Sequence, residues 1–232
     1  MTDALKTAIL AAADAIDEAR PELGRLDGAA GDGDHGMTMS IGARNVRRRF
    51  AALPAGASAA DTLRQVALAM ADVGGAIGPL YSTGLTAMAT ELESLDPADG
   101  RSAGASGSSS SGSASSGEVA LLRRVAEAAE EAVVALGHAR PGDKTVIDAL
   151  DPVVGALRAA EAGRRDLGIA IESATEAAEA GASGTADMVA RIGRASRLGE
   201  RSRGLPDAGA TSLAIIVRAV ADAYPRLGSR KG

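Results

Sequence analysis

Residues 26 to 40 read L-D-G-A-A-G-D-G-D-H-G-M-T-M-S. The stretch sets three carboxylates, Asp27, Asp32 and Asp34, in a glycine-rich turn directly ahead of a segment with helical spacing, Met37 to Phe50. Several carboxylates in a tight turn suit a hard divalent cation such as Mg2+, which takes oxygen ligands. The N-terminus of the following helix offers unpaired backbone N–H groups and a positive dipole end to phosphate. Together these features point to a metal–nucleotide site. The plain alternative is a polar loop that only caps helices.

Outward from this turn, the chain reads as helix after helix. Before it, Leu5, Ile9, Ala12, Ala13 and Ile16 recur at helical spacing with Asp14, Asp17 and Glu18 opposite, and Pro21 is expected to close that helix. After it, Met37, Ile41, Val46 and Phe50 mark a second helix. Its basic end, Arg47-Arg48-Arg49, reads as a solvated last turn favoured by the helix dipole. Asp61 is expected to cap a third helix carrying Leu63, Val66, Ala67, Met70 and Val73. The turn G-G-A-I-G-P-L-Y at 74–81 leads into a fourth, with Leu85, Met88, Leu92 and Leu95. Residues 99–117 are serine- and glycine-rich and are expected to form a flexible insert inside one bundle.

A fifth helix is predicted from Glu118 to Leu136, with Leu122, Val125, Ala129, Val133 and Leu136 inward. The turn G-H-A-R-P-G-D-K-T at 137–145 is like a Walker A loop, but Asp143 separates Gly142 from Lys144 and no strand precedes it, which rejects a P-loop. Val146, Ile147, Leu150, Val153, Val154 and Leu157 mark a sixth helix with a kink expected at Pro152. Ile171, Ala174 and Ala178 mark another, Met188, Val189 and Ile192 a short one, and the last is predicted from Ala210 to Tyr224. Ahead of that last helix, the 193–209 loop holds Arg194, Arg197, Arg201 and Arg203 among glycines, a composition suited to phosphate, with a solvated basic loop as the bland alternative. No period-two pattern appears. The fold class is therefore all-α, a single domain over 1–232 with eight or nine helices.

Composition narrows the function classes. The 232 residues are 46% hydrophobic but only 1% aromatic, Phe50, Tyr81 and Tyr224, so the core must be aliphatic and alanine-rich. A net charge of −5 gives no global attraction to nucleic acid. The absence of cysteine excludes disulfides and thiolate metal sites, and two histidines, His35 and His138, do not support a histidine-rich zinc site. There is no secretory leader pattern and no long apolar run, so the chain is expected to be soluble and cytoplasmic, with no membrane partner. Among rival chemistries, an EF-hand fails because its twelfth position, counted from Asp32, is Ala43. A serine triad lacks a nucleophile elbow around Ser40. A two-carboxylate hydrolase stays open but leaves the other glycine turns unexplained.

Four segments in this order, L-D-G-A-A-G-D-G-D-H-G, G-G-A-I-G-P-L, P-G-D-K-T-V-I-D-A-L-D-P and G-R-A-S-R-L-G-E-R-S-R-G-L-P-D-A-G-A-T-S, resemble the nucleotide-binding L subunit (or L domain) of dihydroxyacetone kinases. The resemblance covers nearly the whole chain apart from the serine-rich insert. It implies an antiparallel eight-helix barrel that binds ADP or ATP at one end through two Mg2+ ions. Asp27, Asp32 and Asp34 match the metal ligands. His35, Gly36, Met37 and Thr38 match the turn on the nucleotide, with the Thr38 hydroxyl and N–H placed for phosphate. Ala76 and Ile77 match a phosphate-side turn, Gly137 and Val146 positions around adenine, and Arg194 with Asp207, Ala208 and Gly209 the remaining nucleotide contacts. Asp143 and Lys144 are read as bracing that turn. Catalysis would rest on the three aspartates and Arg194. Two departures stand out: Ile77 where the family often has serine, and D-A-G where it has D-P-G.

The resemblance also implies partners. A K-type subunit would hold a small ketose, and the phosphoryl donor would be ATP or a bound ADP recharged by a phosphotransferase-system M-type subunit. A homodimer stays open, and so do a related tetrose or ketose kinase and a non-catalytic nucleotide-sensing regulator.

Overall fold

The computed structural model describes residues 2–95 and 111–228. Among the described residues eight α-helices follow one another: α1 (Thr2–Ala30), α2 (His35–Ala51), α3 (Ala59–Ala71), α4 (Ile77–Ser94), α5 (Ser111–Gly137), α6 (Ile147–Ala162), α7 (Leu167–Gly184) and α8 (Ala208–Gly228). Two 3-10 segments, Thr185–Asp187 and Arg194–Ser202, lie between α7 and α8. Each helix packs on the next and α8 packs back on α1, so the ring closes. Most links are too short to cross the ring, which forces neighbours antiparallel. The α1–α2, α3–α4, α5–α6 and α7–α8 links therefore gather at one end. Among the described residues there is no strand, and no helix is long and apolar enough to cross a membrane.

The core is aliphatic and alanine-rich, as composition requires. One cluster joins Val119, Ala149, Val153, Leu157, Ala160, Ala170, Ala174, Ala178, Ala210 and Ala214. Small side chains let helix axes approach, and glycines carry the approach furthest. A methyl group on Gly36 of α2 would lie 2.1 Å from the Arg20 carbonyl of α1. On Gly78 of α4 it would lie 2.2 Å from the Val73 carbonyl, and on Gly181 of α7 2.2 Å from the Asp148 carbonyl of α6. The last contact lies beside Pro152, which has no N–H to bond the Asp148 carbonyl. α6 nevertheless continues through it to Ala162.

Several local expectations are corrected. Pro21 does not end α1, which runs on to Ala30. The lost hydrogen bond and ring clash cost about 3 kcal/mol, but Leu23 and Leu26 beyond it are fully buried, each contributing about 1.5–3 kcal/mol. Asp61 is not the cap of α3. Ser58 is, with Asp61 closing a capping box: Asp61 N–H donates to Ser58 Oγ at 3.0 Å and Ser58 N–H to Asp61 Oδ2 at 3.2 Å. The basic end of α2 is only partly solvated: Arg48 is exposed, while Arg47 pairs with Asp14 and Asp17 at 2.6 and 2.8 Å and Arg49 with Asp72 at 3.0 Å. Leu122 and Leu136 are 37% and 47% exposed, because the buried stripe of α5 runs through Val119, Val125, Ala129 and Val133. No helix forms over Met188–Ile192; a 3-10 turn precedes it and the backbone then runs irregularly. Most of the serine-rich insert, residues 99–110, lies outside the described residues. Its end, Ser111–Gly117, is the start of α5, a helix extended at low cost per residue from an established one.

Asp207 caps α8, its carboxylate accepting from the Ala210 N–H at 2.8 Å and its carbonyl from the Thr211 N–H at 2.9 Å. Burial pushes this carboxyl up from 3.8 to about 6, against the pull of the Ala210 N–H and the Lys144 charge.

Two outcomes follow from these contacts. Gly36→Ala should destabilise the barrel by about 1–3 kcal/mol through overpacking against backbone. Gly155→Ala, in open space on α6, should gain about 0.5–1 kcal/mol; urea titrations of both variants check the contrast. For Asp207 the raised carboxyl is neutral in folded and unfolded chains below about pH 4 and ionised in both above about pH 6, so its stabilising contribution is lost as pH rises between them. Relative to Asp207→Asn, the parent should lose about 2 kcal/mol between pH 4 and pH 6.5, read as the difference between their urea midpoints across that range.

Candidate functional site: an acidic cluster at one end of the barrel

The 26–40 stretch spans a helix end, a turn and a helix start rather than one loop. Asp27 stands on the last turn of α1, Asp32 in the connecting turn and Asp34 at the N-cap of α2. One carboxylate oxygen from each lies within 4.8 Å of the others. Asp27 is half-buried; Asp32 and Asp34 are exposed. Glycines make this possible. A methyl group on Gly31 would sit 2.6 Å from Asp27 Oδ1, and Gly33 holds the turn with φ at +78°. Asp27 also accepts the first N–H of α2, from His35 at 3.2 Å, which locks the two helix ends together.

Arg194, from the 3-10 segment before α8, forms an ion pair with Asp32. Both side chains are about half exposed, so the pair is worth about 0–1 kcal/mol. One guanidinium cannot balance three carboxylates this close, and the excess negative charge and hard oxygen donors fit a divalent cation. The Thr38 N–H is not available to a phosphate, because it donates to the Asp34 carbonyl at 2.9 Å. The hydroxyl of Thr38 is left, together with the N–H groups of Gly36 and Met37 that a first turn leaves outside the helical ladder.

His35 links this cluster to the start of α8. Its Nε2 lies 3.1 Å from Ser212 Oγ, which donates to the Gly209 carbonyl at 2.9 Å and lies 3.3 Å from the Tyr81 hydroxyl. Burial pulls the imidazole below its usual value and the Asp27 charge opposes this, favouring a neutral ring. Ser212 and Tyr81 were not among the residues singled out by sequence. Ser212 was visible only as the end of D-A-G-A-T-S, and a lone serine there carries no distinguishing pattern.

A second, apolar patch borders the network. A methyl group on Gly209 would lie 3.8 Å from Val146 Cβ and 3.9 Å from Ile77 Cδ1, so α8, the start of α6 and the start of α4 meet there. Gly137 lies against Leu80 of α4. Val146 itself clusters with Val133, Ala139 and Ile147, and with Leu80, Ile192 and Leu213 around them. Ile77 packs into the core cluster of α1, α2 and α3, where a serine would bury less apolar surface. Ala76 is exposed just ahead of it, and Ala208 is the first, buried residue of α8. The structure thus brings the sequence-selected residues to one end in two adjoining groups, one acidic and one apolar.

This chain is similar to known proteins across most of its length. The DAK2 domain matches residues 29–222. A D-erythrulose kinase of Mycolicibacterium smegmatis is 39% identical over 214 residues, covering 91% of this chain and 34% of that protein. The ADP-binding subunit DhaL of PEP-dependent dihydroxyacetone kinase 1 from Listeria innocua is 34% identical over 209 residues and covers 88% of both chains. The native crystal structure of the dihydroxyacetone kinase of C. freundii superposes with a TM-score of 0.67 at 25% identity, over 94% of this chain and 34% of that one. The chain spans about a third of the length of the erythrulose kinases it matches and most of the length of the DhaL subunit. The all-helical ring, the four glycine-rich links and these relationships together show that the chain belongs to the DAK2 domain family.

Proposed function

We propose that this chain is the nucleotide- and Mg2+-binding part of a dihydroxyacetone-type kinase acting in the cytoplasm. It would direct a phosphoryl group onto a small ketose held by a K-type partner. The observation that carries the reading is the approach of Asp27, Asp32 and Asp34 to within 4.8 Å, at the end of the barrel where α2 and α8 begin. Relationship to an ADP-binding DhaL subunit supports the choice of nucleotide.

Asp27, Asp32 and Asp34 would hold two Mg2+ ions, which when bound draw charge off the phosphate oxygens. Phosphoryl transfer asks a protein mainly for positioning and electrostatics, and the remaining residues suit those tasks. Gly36 and Met37 turn first-turn N–H groups outward, and the Thr38 hydroxyl adds a donor. Arg194 is half exposed and only weakly held by Asp32, so it is free to exchange that carboxylate for a phosphoryl oxygen, where its planar donors suit three equatorial oxygens. His35, kept neutral by burial, fixes the α2 turn against α8 through Ser212. Ile77, Val146 and Gly209 form an apolar, close-backbone wall suited to a nucleotide base, bordered by Gly137, with Ala76, Asp207 and Ala208 at its edges.

A four-carbon ketose is the second reading for the acceptor, favoured by the erythrulose kinases at 37–39% identity. The donor is ATP, or ADP kept bound and recharged by an M-type partner, as the PEP-dependent name of the Listeria relative suggests.

Asp32→Asn should lower Mg–ADP affinity by at least 100-fold in calorimetry while far-UV circular dichroism is unchanged; undiminished affinity would remove the site. Mixing the purified chain with K-type and M-type partners and following phosphate from ATP and from phosphoenolpyruvate should label dihydroxyacetone or erythrulose only when this chain is present. Transfer at the same rate without it would end the kinase reading.

A further inference from the structure

Lys144 is a buried charge that the chemistry above does not use. It is 3% exposed and sits in the turn ahead of α6 with φ at +62°. A non-glycine residue in the left-handed region costs on the order of 1 kcal/mol, so the side chain must be what the position requires. Its ammonium has three N–H donors, and three main-chain carbonyls face it: Ser202 at 2.6 Å, Leu205 at 2.8 Å and Met188 at 3.4 Å. All three belong to the irregular segment between α7 and α8.

The anchor is itself rigid. The Asp148 carboxylate accepts from the Thr145 N–H at 2.7 Å and from the Gly142 N–H, closing the turn from both sides of Lys144. The neighbouring Asp143 carbonyl accepts the Arg191 N–H at 3.1 Å, a fourth tie to the same segment. Arg194 lies between the tied points. Gly193 at φ +73° and Gly199 at φ +54° bracket it, and the stretch between them is braced from within the segment, by Ser196 Oγ on the Gly193 carbonyl and Ser202 Oγ on the Gly199 carbonyl, both at 2.7 Å. The exposed pair to Asp32 is too weak to hold it alone.

We propose that Lys144 is a positioning residue, whose ammonium clamps the 188–205 segment through three carbonyls and so sets Arg194 beside the acidic cluster. This rests on the reading that the cluster and Arg194 serve a nucleotide. A neutral side chain of the same length would leave three carbonyls without their donor and release the segment.

The chain has no cysteine, so Arg44→Cys on α2 and Arg197→Cys in the segment, both exposed, take two nitroxide labels cleanly. Pulsed electron paramagnetic resonance on the parent should give one narrow distance distribution. Lys144→Met should broaden it while circular dichroism stays that of the parent. Mg–ADP affinity should fall on the order of 10-fold, as in Arg194→Ala, with no further loss in the double variant. A distribution as narrow as the parent's, or losses that multiply in the double variant, would overturn the proposal. If Lys144→Met does not fold, Lys144→Arg carries the same test, since a planar guanidinium cannot aim three donors from one atom. Should the parent fail to bind Mg–ADP, the nucleotide reading falls and the distance distribution alone decides the clamp.

Discussion

The approach of α1 to α2 sets everything else at this end of the barrel. Gly36 rests on the Arg20 carbonyl, and Gly33 lies within 3.5–3.7 Å of where Gly24 and Gly28 would carry side chains. At Gly36 no larger residue permits that spacing, while at Gly24 and Gly28 an added methyl would just fill it. Because the helices touch through backbone, the last turn of α1 is held beside the first turn of α2, and the Asp27 carboxylate can cap the His35 N–H across the gap. The same contact carries Asp27 to Asp32 and Asp34, which are five and seven residues away in sequence. A carboxylate cluster built this way is paid for by packing, since burial of Leu23 and Leu26 beneath it holds together charges that would otherwise drift apart.

Ring closure then supplies the rest of the site. An antiparallel ring places the N-termini of α2, α4, α6 and α8 at one end, but it places the C-termini of α1, α3, α5 and α7 there too. The macrodipoles of neighbours therefore largely cancel, and the barrel as a whole offers no strong positive end. What remains is local: unpaired N–H groups in the first turns and whichever side chains the links carry. That explains why the candidate site draws on the links rather than on helix faces. It also explains why the 185–207 link, the longest of the four, needs an internal ammonium while the four-residue α1–α2 link needs only glycines.

The helical class, the alanine-rich core and the gathering of four glycine-rich turns were legible in the sequence, because helical spacing and glycine are strong local signals. Boundaries set by tertiary burial were not. Pro21 reads as a stop until Leu23 and Leu26 are seen to be buried. Leu122 and Leu136 fit the α5 period, yet the ring buries only a narrow stripe. Asp61 reads as the cap of α3 until the reciprocal bonds show Ser58 in that role. Within the site, the acidic triplet and Arg194 could be named from motifs, whereas their pairing could not, since 162 positions separate Asp32 from Arg194. The engagement of the Thr38 N–H by Asp34 was equally hidden, because it depends on where α2 begins.

Charge explains why the acidic end and the apolar wall belong to one site. Three carboxylates within 4.8 Å repel one another, and one exposed arginine offsets only part of this. Burial has meanwhile raised Asp207 and left His35 favouring its neutral form, so these two groups beside the start of α8 carry less charge than their residue types suggest. The gradient from an anionic, hydrated cluster to a low-charge wall at Ile77, Val146 and Gly209 matches a ligand with one end bound through cations and the other end flat and apolar. A bare metal would need only the first half of this arrangement, and an apolar ligand only the second. Ile77 strengthens the apolar half at the expense of a hydroxyl donor. In the proposed site this would shift the balance of recognition away from direct phosphate contacts, toward the cations and the first turn of α2.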